Sequence, residues 1–215
     1  MIHFLGSSFA PQHLKAAAIK RGIPVTYELS DASLVFVSED APVASDGSRD
    51  LTEIRRLIEI AKSTGKPIVL TSQVPPGFTR SLGIDNIWHQ AETLRVKDAE
   101  LRAEFPEQII IGERVPYQTP TVYFKYLEAF KCPLHFMSWE SAEFSKMAIN
   151  MMLAAQVDAT NMLSAAAEKV GASWESVCYA LRHDKRIGDY AYLTPGRWQD
   201  SPHLLRDWHT LQGIK

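Results

Sequence analysis

Four short runs hold residues whose types and spacing could do chemistry. Ile2-His3-Phe4-Leu5 leads into Gly6-Ser7-Ser8, and Pro11 opens a helical pattern behind them. Strand, glycine turn and helix in that order form the layout of a phosphate-binding turn, in which backbone N–H groups face an anion. Such a turn takes glycine at three places: for the bend, for approach of the backbone to a pyrophosphate, and for packing of helix on strand. Here only Gly6 is present, and Ser8 and Pro11 stand at the other two places. A serine side chain narrows the path to the phosphates, and proline removes an N–H that would face them. The same residues read equally well as a turn that merely connects strand to helix. The second run, Thr71-Ser72-Gln73-Val74-Pro75-Pro76-Gly77-Phe78-Thr79, follows an apolar strand. Its Pro-Pro-Gly turn is either a plain rigid loop or a means of placing strand-end side chains in a cleft, where open α/β sheets bind ligands. In the third run, Gln90-Ala91-Glu92-Thr93-Leu94-Arg95, Glu92 taken alone is an ordinary carboxylate. In the fourth, Lys146 and Asn150 are four residues apart and share a helix face. A lone pair of that kind is most often a solvated face.

The elements that must position these residues are legible as punctuation and period. Ile2–Leu5 reads as a first strand, and Leu14, Ala17, Ala18 and Ile19 as one side of a helix stopped by Gly22. Val25–Leu29 reads as a second strand. Leu34-Val35-Phe36-Val37 is continuous enough to be buried on both faces. A helix over 50–62 carries the stripe Leu51, Ile54, Leu57, Ile58, Ala61; strands follow at 67–71 and 108–112. Alternating strands and helices predict a parallel α/β sheet, a reduced Rossmann-like domain over 1–120. Residues 121–215 read as an all-helical domain. A helix over 121–129 precedes a long one from Ser138 to about Val170, with Phe144, Met147, Met151, Ala155, Ala159, Met162, Ala166 and Val170 as its apolar stripe. About 30 helical residues would span about 45 Å, more than a small domain covers, so the long helix is expected to join two copies into a homodimer. A helix over 173–182 follows. After the turn Thr194-Pro195-Gly196, a last helix has Ser201 as N-cap and Pro202 at its first position.

Composition excludes several function classes. With 46% hydrophobic and 22% charged residues the chain is of globular type rather than disordered. A net charge of −2 and the absence of a polybasic run argue against nucleic acid or a membrane surface as partner. No apolar stretch approaches the roughly 18 residues that cross a bilayer, and the N-terminus reads as a buried strand rather than a signal peptide. Cys132 and Cys178 have no metal-ligand spacing. No metal is expected, and two lone thiols make a reducing, cytoplasmic location the default.

Taken together, the runs carry more than they do singly. Thr71–Gly77, Ala91-Glu92-Thr93-Leu94, Pro106–Gly112, Ser141–Asn150, Asp184-Lys185-Arg186-Ile187-Gly188 and Leu193-Thr194-Pro195-Gly196 follow one another in an order that resembles the UDP-glucose/GDP-mannose dehydrogenase family, from about Asp31 to Asp207. The resemblance implies a sheet domain that binds NAD, a helical dimerisation domain, a sugar-nucleotide substrate oxidised twice at C6 through a cysteine thioester, and a place in polysaccharide biosynthesis. By matching motif it makes Glu92 a general acid/base, Lys146 the group that offsets oxyanion charge, and Asn150 its helix partner. Arg186 becomes the arginine that reaches the sugar nucleotide, and Asp207 the aspartate that closes the cysteine motif. Gly6, Ser7, Ser8, Glu39, Ser72 and Gln73 become the cofactor-side positions.

The departures from the family pattern are as specific. Gly196 to Asp207 keeps the family's separation of 11 residues, but His203 stands in the place of the nucleophilic cysteine and Arg206 in that of a lysine. Gln73 replaces the usual threonine. The second strand runs almost directly into Asp31–Val37, so part of the cofactor domain has no counterpart, and none is expected for the family's C-terminal nucleotide-binding domain. Two functions follow. One is an NAD-dependent oxidoreductase of the nucleotide-sugar 6-dehydrogenase type, binding NAD weakly and lacking the cysteine route, with His203 a general base or simply a surface histidine. The other is a catalytically silent homologue that binds or assembles, its NAD binding lost.

Overall fold

The computed structural model describes residues 1–43 and 48–214. The chain divides into two compact units, Met1–Lys146 and Met147–Lys215. The division falls later than the change of sequence character near residue 120, because the sheet continues past that point.

The first unit is built on six strands in the spatial order β1 (Ile2–Leu5), β2 (Leu34–Val37), β3 (Ile68–Leu70), β4 (Ile87–Ala91), β5 (Ile109–Glu113) and β6 (Leu134–Ser138). On β2, Leu34 and Phe36 enter a core with Phe4, Leu14, Tyr123 and Tyr126, while Val35 and Val37 enter another with Ile54, Ile58, Ile68 and Ile87. Burial on both faces is why this strand reads as an unbroken apolar run. Helices α1 (Phe9–Lys20), α4 (Ala99–Glu104) and α5 (Thr121–Glu128) supply the first face; α2 (Thr52–Lys62) and α3 (Phe78–Ser81) supply the second. Trp139, at the start of α6 (Trp139–Lys169), is also buried on that second face, and its Nε1 donates to the Ile87 carbonyl at 3.2 Å.

Three features depart from the sequence expectations for this unit. The strand expected over Val25–Leu29 is a single parallel bridge between Ile2 and Val25. Ile2 donates to the Pro24 carbonyl at 2.8 Å and accepts from the Thr26 N–H at 2.9 Å. Thr26 Oγ1 then accepts the Glu28 N–H at 3.1 Å, and a 3-10 turn at Leu29–Asp31 ends any extension. Second, the sheet is mixed: β4 and β5 pair antiparallel, with Ala91 opposite Ile110. The chain leaves β4 at its carboxyl end and re-enters β5 beside it, with a 3-10 turn at Val96–Asp98 and the six-residue α4 between. Third, β4 and β6 were not read as strands. Ile87-Trp88-His89-Gln90-Ala91 carries two polar residues although all five are buried, and β6 is largely exposed, so neither shows a clean period.

The bridge at Val25 matters for the site. Both main-chain groups of Ile2 are used there, so Val25 lies on the edge of β1 opposite β2. From β1 the chain steps to one side and then to the other. β1 is therefore a topological switch, the place where open sheets bind ligands at strand carboxyl ends.

The second unit holds the rest of α6, then α7 (Trp174–His183) and α8 (Pro202–Gly213). The Ser173 side chain caps α7 by accepting the Ser176 N–H. Ser201 occupies the N-cap position of α8, with Pro202 in the first turn but no side-chain cap bond. The Thr194-Pro195-Gly196 turn is held by Asn161, whose Nδ2 donates to the Gly196 carbonyl at 2.7 Å and whose Oδ1 accepts the Gly196 N–H at 2.9 Å. The buried stripe of α6 is not the one expected. Met147, Asn150, Ala154, Val157, Thr160 and Ala167 are buried, whereas Phe144, Met162 and Val170 are 45%, 67% and 80% exposed. The Lys146/Asn150 face was read as the solvated one, yet Asn150 is buried and Lys146 is half-buried. Rotation of the buried stripe by about one residue is within what a 3.6-residue period allows when alanines are spread around the helix.

Candidate functional site

The first group of candidates gathers at the switch point, where β1 and β2 end side by side. Gly6 has φ +123°, and a Cβ there would lie 1.7 Å from the Ser38 carbonyl oxygen. Glycine is therefore required by the close approach of the β2 end. Ser7 donates its N–H to Glu39 Oε2 at 2.8 Å. Glu39 donates its own N–H to Ser72 Oγ at 2.8 Å, and Asp40 donates its N–H to Ser8 Oγ at 3.1 Å and to Glu39 Oε1 at 3.1 Å. Gly6, Ser7, Ser8, Glu39 and Ser72 thus form one cluster, with Ser72 buried at the end of β3. Burial of Glu39 disfavours its charge, but the hydrogen bonds from Ser7, Ser8 and Asp40 outweigh this and hold its carboxyl below the usual carboxylate range. Gln73 is anchored through its carbonyl, which accepts from the Arg49 guanidinium at 2.8 Å.

The Pro-Pro-Gly turn is fixed from a residue assigned no role by sequence. Glu143 on α6 accepts the Gly77 N–H at 2.5 Å and the Thr79 N–H at 2.8 Å, and is 2% exposed. Burial pushes its carboxyl up, opposed by those hydrogen bonds. Gly77, at φ +90°, supplies the left-handed residue that the turn needs. Gly112 on β5 leaves space for α6, since a Cβ there would be 3.0 Å from both Trp139 Cα and Ala142 Cβ. Glu92 follows β4 directly and accepts the Leu94 N–H within its own loop. It lines a cavity of about 30 Å³ with Gln90, Arg102, Tyr126 and Phe130. Lys146 is the last residue of the first unit.

In the second unit the candidates group around Asp207, which is fully buried on α8. Asn150 Nδ2 donates to Asp207 Oδ2 at 2.6 Å, and Arg206 Nε lies 3.6 Å from Asp207 Oδ1. Asn150, Arg206 and Asp207 are each 5% exposed or less. The Asn150 amide and Arg206 supply polar partners in place of water around the buried Asp207 side chain. His203 is the second residue of α8, one helical turn before Asp207, and is exposed. Arg186 lies apart on the surface, its guanidinium held by Asp184 at 2.6 Å and 3.0 Å. Cys132 and Cys178 are free thiols distant in sequence from the His203 position. Among the described residues no helix is long and apolar enough to cross a membrane.

Dinucleotide binding by the turn can be judged on this geometry. The Ser7 N–H, a natural donor to a pyrophosphate, is taken by the Glu39 carboxylate, and the Ser8 hydroxyl is also hydrogen-bonded to that carboxylate. Negative charge already stands where a phosphate would have to come. In this conformation the turn does not fit a pyrophosphate.

Comparison with known proteins places these motifs. Residues 140–212 match the family described as UDP-glucose/GDP-mannose dehydrogenase family, central domain. The UDP-glucose 6-dehydrogenase YwqF of Bacillus subtilis is 30% identical over 74% of this chain and 39% of its own length. An uncharacterized protein of Methanocaldococcus jannaschii is 29% identical over 75% of this chain and 20% of its own length. The chain therefore spans well under half the length of these curated relatives. Among solved structures, a UDP-glucose dehydrogenase from Pyrobaculum islandicum superposes with a TM-score of 0.71 at 19% identity, over 98% of this chain and 67% of that one. A GDP-mannose dehydrogenase from Pseudomonas aeruginosa superposes with a TM-score of 0.67 at 22% identity, over 84% and 48%. At such identities the likeness establishes a shared fold.

Proposed function

From the premise that residues 140–212 belong to the central domain of the UDP-glucose/GDP-mannose dehydrogenase family, we propose that the chain is an oxidoreductase of the nucleotide-sugar 6-dehydrogenase type that works on a sugar or sugar nucleotide without the cysteine-dependent second oxidation. The supporting observation is the buried Asn150–Asp207 pair at 2.6 Å, because both partners lie within residues 140–212, which match the family's central domain. NAD is the proposed cofactor, weakly held at most because the Glu39 carboxylate occupies the Ser7 N–H; if held, it would supply the hydride acceptor.

The roles are taken residue by residue. Lys146 offsets charge developing on the substrate oxygen. Asn150 holds Asp207 in one orientation through its amide. His203 takes the hydroxyl proton as a general base, a contribution of typically 10²–10⁴-fold where geometry allows. Glu92 serves as a further acid/base group, and Arg186 and Arg206 as contacts for the anionic part of the substrate. The test is titration of the purified protein with NADH, followed by fluorescence. Quenching in the micromolar-to-millimolar range is expected. No binding at millimolar NADH would overturn the oxidoreductase reading.

A second reading has its own support. The Glu39 carboxylate bound to the Ser7 N–H of the β1–α1 turn and histidine in place of the cysteine both suit a catalytically silent homologue that binds or assembles. The same titration separates the two.

A further inference from the structure

The geometry points to Glu39 as a tethered anion that competes with a dinucleotide's pyrophosphate for the β1–α1 turn. The inference rests on the reading of that turn as the cofactor side of the proposed oxidoreductase. Three observations on separate atoms support it. The carboxylate accepts the Ser7 N–H at 2.8 Å, so the first amide after the glycine bend is already bound to an anion. The segment carrying the carboxylate is pinned, with the Glu39 N–H on buried Ser72 Oγ and the Asp40 N–H on Ser8 Oγ, so the occupant is built into the end of β2. Gly6 admits no side chain because Ser38 presses against it, so this glycine serves the docking of the β2 end.

A phosphate approaching the turn meets Glu39 as a like charge and as a rival acceptor for the same N–H. Its entry requires Glu39 to leave and rehydrate. Removing the carboxylate should therefore improve dinucleotide binding, the reverse of what deleting a ligand-contacting residue does.

The experiment compares NADH binding by wild type, Glu39→Gln and Glu39→Ala, with Glu59→Gln on the exposed face of α2 as control. Circular dichroism reports folding, and Glu39→Gln keeps the shape of the side chain in case Glu39→Ala does not fold. The dissociation constant is expected to fall at least about tenfold in a Glu39 variant, about 1.4 kcal/mol, and to stay at the wild-type value in the control. An unchanged or weaker constant in folded Glu39→Gln, including no binding by any variant, overturns the inference. Turnover of UDP-glucose is scored separately. Turnover by wild type with no gain in Glu39→Gln rejects the tethered anion and leaves the oxidoreductase standing. Tighter binding without turnover by any variant supports the tethered anion and rejects the oxidoreductase.

Discussion

His89 sits at the centre of β4 with 2% exposure, and its Nδ1 finds no hydrogen-bond partner among the described residues. Burial lowers its pKa from 6.5 to about 4. The sign follows directly. Between those values the unfolded chain takes up a proton that the folded chain refuses, so stability falls as pH drops from 6.5 towards 4. The loss is on the order of 3 kcal/mol. Urea denaturation at steps between pH 7 and pH 4 should show that decline, and His89→Leu should flatten it. An equal decline in His89→Leu would assign the effect to other groups. His89 was invisible as a feature of the sequence because its strand has no alternation to reveal it. Other residues were half-legible. Gly6 was read either as a phosphate-turn glycine or as part of a plain connecting turn, and only the structure shows the approach of Ser38 that requires it. Glu143 was quoted within a motif and given no role, since its partners are backbone amides 64 and 66 residues away.

At the scale of elements, sequence reading did best where punctuation and period agree. The helix with its Leu51–Ala61 stripe was expected over 50–62 and spans Thr52–Lys62; the long helix was expected from Ser138 to about Val170 and spans Trp139–Lys169. It did worst where a tertiary contact decides the outcome, as in the collapse of the Val25–Leu29 strand to one bridge. The long helix shows both sides. Its extent was legible, but its Ala- and Met-rich sequence gave no sharp moment, and the stripe taken for core is in large part exposed in a single chain. That exposure supports the homodimer proposal, because Met162, Val170 and Phe144 leave apolar surface uncovered. Obligate interfaces commonly bury over about 2,000 Å². Sedimentation equilibrium at micromolar concentration should give a dimer, and Met162→Glu should shift it towards monomer. A well-folded wild-type monomer would refute this.

At the scale of the whole molecule, the family relation is carried by the helical motifs, while the departures lie in the phosphate turn and at the position of the nucleophile. The chemistry separates them. Full oxidation by the family route needs a group that adds to an aldehyde and later leaves from an acyl intermediate, and sulfur does both. On the proposed reading histidine at 203 offers a base in that place, and neither Cys132 nor Cys178 lies between Gly196 and Asp207. A protein of this build should remove one hydride and stop. The most direct measurement is product analysis by mass spectrometry. The protein is incubated with NAD, UDP-glucose and an aldehyde trap, with and without prior alkylation of its thiols, and compared with His203→Ala. The account predicts trapped 6-aldehyde without the uronic acid, formed equally after alkylation and strongly reduced in His203→Ala. Uronic acid as the product, with its formation abolished by alkylating Cys132 or Cys178, would contradict it.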